Sequence, residues 1–117
     1  MQGSEFEQYF KFFPNLKRKF KGIFSIDTIP KSLALRQFCI INTDLSINSG
    51  RHWFVMFKIS KSCLEVFDSL GIDSEKEISL KNYCKMKINH LNVNLSKFQS
   101  NDSVNCGLFC VFYIIHR

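Results

Sequence analysis

Residues 52–71 read His52-Trp-Phe-Val-Met-Phe-Lys-Ile-Ser-Lys-Ser-Cys-Leu-Glu-Val-Phe-Asp-Ser-Leu-Gly71. Aromatic and β-branched residues crowd both halves, and Ser60-Lys-Ser62 separates them. That pattern predicts a hairpin, with a strand over His52–Ile59, a turn over Ser60–Ser62 and a strand over Cys63–Phe67. With the turn centred near Ser60, antiparallel pairing sets residue i opposite 120 minus i, and His52 faces Asp68. A register shifted by one residue sets it opposite Ser69 instead. In the first register His52, Phe54 and Met56 share a face with Asp68, Val66 and Leu64. Trp53, Val55 and Phe57 share the other with Phe67, Glu65 and Cys63. Both faces are largely apolar, as in a sheet covered on both sides.

Downstream, Asp68-Ser-Leu-Gly71 reads as a turn. Ser74-Glu-Lys-Glu77 is a capping box that starts a helix reaching into the 80s. Val93–Phe98 suggests one more strand, and Gln99–Asn105 a polar loop. A final helix begins at Cys106-Gly107. Upstream, Ser4-Glu-Phe-Glu7 is another capping box, with Phe6, Phe10 and Phe13 at helical spacing and Pro14 ending the helix. Phe20-Lys-Gly-Ile-Phe24 is a short strand or extended loop. Gln37–Asn42 is a buried strand, and residues 43–50 form a polar connection to the hairpin. Helices before and after a mostly antiparallel sheet give the class α+β.

The chain has 117 residues, enough for one domain spanning 1–117. Thirteen phenylalanines predict an aromatic core. No apolar run approaches the roughly 18–20 residues of a membrane span, so no membrane partner is expected. The N-terminus lacks the basic-then-apolar pattern of a secretion signal, and secretion is not expected. Five cysteines, an odd number, argue against a disulfide framework. Cys106 and Cys110 have no second close pair to complete a zinc site, so no metal is expected. Cys39 and Cys63 read as small core residues. The net charge is +6, with Lys17, Arg18, Lys19 and Lys21 as the densest basic run and Lys81, Lys85 and Lys87 as a second group. These make Lys17, Arg18, Lys19 and Lys21 candidate nucleic-acid contacts, against the plainer readings of a solvated basic surface or a nuclear import tag.

The chemistry concentrates on four residues. A carboxylate opposite His52 accepts an imidazole N–H and fixes the tautomer, which leaves the other ring nitrogen to take a proton from a nucleophile. Cys106 lies at a helix start, where the dipole favours the thiolate, and Gly107 leaves room for close approach. The backbone N–H of Cys106 and the amide of Gln99 are candidate donors to an oxyanion. Taken singly, each residue has a plainer reading: Asp68 as a turn initiator, His52 as an edge residue, Trp53 as core, Gln99 as a loop residue, Cys106 as a buried thiol.

In this order these residues resemble the adenain-like cysteine proteases, the family of the adenovirus protease. The wider superfamily includes the SUMO proteases and the proteases of Maverick/Polinton-type viral elements. The likeness runs through Phe20-Lys-Gly-Ile-Phe24, Ile40-Ile-Asn-Thr43, Gly50-Arg-His-Trp53, Val66-Phe-Asp-Ser-Leu-Gly71, Gln99 and Cys106-Gly-Leu-Phe-Cys110. The resemblance implies a papain-like core in circularly permuted order, an antiparallel sheet packed on the helix bearing the nucleophile, with flanking helices. It implies His52 as base, Asp68 as its orienter, Gln99 as oxyanion donor and Cys106 as nucleophile, with Trp53 and Gly107 beside the substrate. It also implies a monomer that cleaves glycine-containing motifs of viral or mobile-element precursor proteins, inside a host nucleus or virion. DNA and a peptide activator are partners the family brings. No cysteine sits at the place between the mid-chain helix and Gln99 that corresponds to the family's, so a disulfide-linked activator is not expected. The acid here is aspartate where adenain has glutamate, as in the SUMO proteases and many viral-element relatives.

The chain stops eleven residues after Cys106, about 17 Å of helix, whereas adenain continues with further helices. A compact variant, a fragment or a degenerate copy is therefore expected. Two further functions follow: a protease of ubiquitin-like modifiers, and an inactive relative that binds nucleic acid or protein.

Overall fold

Phe6 and Phe10 lie one helical turn apart and are both fully buried, as the spacing of the first helix requires. The computed structural model describes residues 3–42, 52–72, 74–83, 90–94 and 106–116. Within them lie α1 (Gly3–Lys11), α2 (Pro14–Lys19), β1 (Phe20–Ser25), β2 (Phe38–Asn42), β3 (Trp53–Lys58), β4 (Cys63–Phe67), α3 (Ser74–Tyr83), β5 (His90–Val93) and α4 (Cys106–Ile115). The class is α+β. The first helix ends at Lys11, and Pro14 does more than end it: it sits at the first position of α2, where its missing N–H costs nothing.

The five strands form one sheet in the order β1-β2-β3-β4-β5. It is mixed rather than mostly antiparallel. β2–β3 and β3–β4 are antiparallel, while β1–β2 and β4–β5 are parallel. Parallel neighbours need a crossover. At one edge residues 26–37 supply it, burying Ile29 and Leu33; at the other α3 does, burying Leu80. The last strand runs over His90–Val93 rather than starting at Val93. Residues 95–98 of the expected strand lie outside the described residues.

The hairpin register differs from expectation by two residues. Val55 pairs with Phe67, Met56 with Val66 and Phe57 with Glu65, so paired numbers sum to 122. The turn explains the shift. Ser60 and Cys63 exchange backbone bonds around Lys61-Ser62, and the Cys63 carbonyl also takes the Ile59 N–H at 3.2 Å. One extra residue on the β3 side is therefore accommodated at the turn. Because the shift is even, every side chain keeps its expected face. Trp53, Val55 and Phe57 pack with α1 and α4, against Phe6, Phe10, Cys110, Val111 and Ile114. Phe54, Met56, Leu64 and Val66 pack beneath the residue 26–37 crossover and α3.

The helices on the first face have a definite direction. Phe6 meets Trp53 edge-on at 5.2 Å, and Phe10 meets Phe38 edge-on at 5.4 Å. Phe38 pairs with Phe57, so α1 runs alongside β3 from its Trp53 end to its Phe57 end. Ile115 shares a cavity with Phe12, Phe13, Pro14 and Leu16, which places the C-terminal end of α4 at that same Phe57 end. α4 packs against β3, and its ten residues span about 15 Å.

Candidate active site

His52 immediately precedes β3, and Asp68 immediately follows β4. In the observed register they are diagonal rather than direct neighbours on one face, a wider spacing that the imidazole ring still bridges. His52 Nε2 lies 2.6 Å from Asp68 Oδ1. Their side chains are 15% and 5% exposed, so the pair is largely withdrawn from water. An ionised carboxylate only accepts hydrogen bonds. Nε2 therefore carries the hydrogen, and Nδ1 is the basic nitrogen of the ring.

The carboxylate is held by more than the histidine. Asp68 Oδ1 also accepts the Leu70 N–H at 2.9 Å, closing an Asx turn. The Asp68 carbonyl accepts the Gly71 N–H at 2.8 Å, with Gly71 in the left-handed region at φ 81°. Asn94 completes the arrangement. Its Oδ1 accepts the Asp68 N–H at 2.8 Å and its Nδ2 donates to the Asp68 carbonyl at 2.5 Å. Sequence reasoning placed Asn94 inside a strand and gave it no role. The available signal was an amide side chain at a strand end, able to stand in for a peptide group.

Cys106 is the first residue of α4, a ten-residue helix whose N-terminal end carries the positive pole of its dipole. α4 packs on β3, the strand that His52 precedes. Gly107, Cys110, Val111 and Ile114 are buried, the stripe by which α4 packs on the sheet. Gln99 lies outside the described residues. Trp53 is buried in the core against Phe6, so its ring supports the strand that begins beside His52.

Lys17, Arg18 and Lys19 occupy the last turn of α2 and are exposed. Three cations there complement the negative helix end, which gives the run a structural role of its own. Arg18 Nη2 also donates to Asn15 Oδ1 at 2.7 Å. Lys21 is exposed on β1 and its Nζ donates to the Ser32 carbonyl at 2.9 Å. Lys81 is 3.6 Å from Glu77, one helical turn earlier; Lys85 and Lys87 lie outside the described residues. Cys39, Cys63 and Cys110 are not in disulfides, and Cys39 and Cys110 are buried. Among the described residues no cluster of three His, Cys, Asp or Glu side chains could hold a metal ion, and no helix is long and apolar enough to cross a membrane.

No protein-family model matches the chain, and no curated protein matches it in sequence.

Proposed function

We propose that the chain is a thiol endopeptidase of the adenain-like type, with the papain-like core that the family resemblance implies. The observation that carries this reading is the buried His52–Asp68 pair at 2.6 Å, on a sheet against which α4, the helix that begins with Cys106, also packs. A histidine oriented by a carboxylate, next to a helix N-terminus bearing a thiol, is the arrangement that nucleophilic acyl transfer needs. His52 Nδ1 takes the Cys106 proton, and the sulfur attacks the scissile carbonyl carbon. The carbonyl oxygen becomes an oxyanion, met by the Cys106 N–H and the Gln99 amide. Collapse breaks the C–N bond, and the imidazolium gives its proton to the leaving amine. Water then attacks the thioester with His52 again as base, releasing the acid and restoring the thiol.

The substrate class rests on the family resemblance: glycine-containing motifs of viral or mobile-element precursor proteins. Incubation with a glycine-containing precursor peptide is expected to give cleavage that Cys106→Ala abolishes; undiminished cleavage by that variant overturns the assignment. A suicide probe built on a ubiquitin-like tail separates the modifier-protease reading, since labelling of Cys106 by that probe favours it.

A second reading, nucleic-acid binding, is favoured by the exposed Lys17, Arg18 and Lys19 on α2. It is compatible with the first, because DNA is a partner the resemblance brings. Duplex binding that weakens steeply with salt supports it.

A further inference from the structure

We infer that Asn94 is the positioning residue for the acid of the catalytic pair, an inference that rests on reading His52–Asp68 as base and orienter. The problem it solves is local. Asp68 is the first residue past β4, where the sheet ladder no longer holds the backbone. A carboxylate there would take its direction from a loop.

β5 lies parallel beside β4, with Val66 paired to Val93. Continuing that register sets Asn94 beside Phe67, one residue short of Asp68. The side-chain amide of Asn94 reaches that one step further. It accepts the Asp68 N–H at 2.8 Å and donates to the Asp68 carbonyl at 2.5 Å, satisfying both backbone groups of that residue with one amide. The backbone of Asn94 fixes the other end of the same turn, because its carbonyl accepts the Ile72 N–H at 2.8 Å. One residue thus pins the segment from Asp68 to Ile72 at both ends. Within it, the Leu70 N–H and His52 set the carboxylate direction.

The chemistry is specific to asparagine. Aspartate keeps the acceptor for the Asp68 N–H but sets a second oxygen against the Asp68 carbonyl. Glutamine is one methylene too long for the spacing, and alanine removes both bonds. Asn94 touches none of the reacting atoms. Its effect passes through Asp68 to His52, and displacing an aligned group by about 1 Å costs up to ~100-fold in rate.

A double-mutant cycle on the rate of Cys106 alkylation near neutral pH tests this. Asn94→Ala is expected to slow alkylation about tenfold in the native background and less than about twofold in an Asp68→Asn background, because the two act through one carboxylate. An equal loss in both backgrounds, or none in the native one, overturns the inference. Should Asn94→Ala fail to fold, Asn94→Asp gives the second test. Its rate relative to the native protein is expected to recover as the pH falls and the introduced carboxyl gains a proton with which to donate to the Asp68 carbonyl. A ratio that stays flat or falls further overturns the inference. If Asp68→Asn alone leaves alkylation unchanged, the catalytic-pair reading itself fails, an outcome distinct from failure of the Asn94 role.

Discussion

Replacing Asp68 by asparagine keeps the shape of the side chain and removes its charge. The Nε2–Oδ1 distance of 2.6 Å makes this a short, charge-assisted bond whenever the imidazole is protonated. At that distance, and with an effective dielectric constant near 20, the direct attraction is about 6 kcal/mol. Desolvation of both groups offsets much of it, and hydrogen bonds to charged groups contribute about 1.5–3 kcal/mol net. With the Asp68 side chain only 5% exposed, water does little to replace the lost partner. A loss of that size corresponds to about 10- to 150-fold in rate. Asparagine can also turn its amide nitrogen toward Nε2 and favour the tautomer with hydrogen on Nδ1, which pushes the loss toward the upper end. The assay is iodoacetamide alkylation of Cys106, followed by peptide mass spectrometry, with the buried Cys39 and Cys110 as internal references. A change under about twofold, in a variant that denatures like the native protein, refutes the idea that Asp68 supports an imidazolium beside the thiolate.

The remaining predictions concern stability and surface charge. Phe6→Ala removes a fully buried ring that meets Trp53 and Phe10, and is expected to cost about 3–5 kcal/mol in chemical denaturation. Gly22→Ala is expected to cost about 1–3 kcal/mol for backbone reasons alone: φ is 146°, while an added Cβ would meet the Phe24 ring at an ordinary 3.5 Å. Gly71→Ala strains the turn that carries Asp68, so it is expected to slow Cys106 alkylation while Gly22→Ala does not; equal effects contradict the site description. Neutralising Lys17, Arg18 and Lys19 together to glutamine is expected to weaken duplex DNA binding and reduce the salt slope by about 2–3; an unchanged slope shows that α2 is not the contact surface.

The hairpin was legible because alternation survives a two-residue error. Trp53, Val55 and Phe57 fall on the α1/α4 face in either register, so the proximity of His52 and Asp68 followed without the correct partners. The register itself depended on how the Ser60–Cys63 turn absorbs Ile59, a backbone choice that Ser-Lys-Ser does not encode by residue type. α1 was legible from Phe6 and Phe10, but the second helix was hidden, since a proline that ends one helix equally opens the next. The parallel β1–β2 edge was missed because the crossover over residues 26–37 contains no helix to announce it. Asn94 was missed for a different reason. Its role comes from its place in the fold, where β5 ends one step short of Asp68, and nothing in the neighbouring residues signals that offset.

The central claim is that Cys106 and the His52–Asp68 pair form one catalytic centre. The crystallographic distance from Cys106 Sγ to His52 Nδ1 tests it most directly. The expected separation is within hydrogen-bonding reach, about 3–4 Å, with Nε2 still on Asp68. A sulfur buried away from the ring, at roughly twice that distance or more, contradicts it.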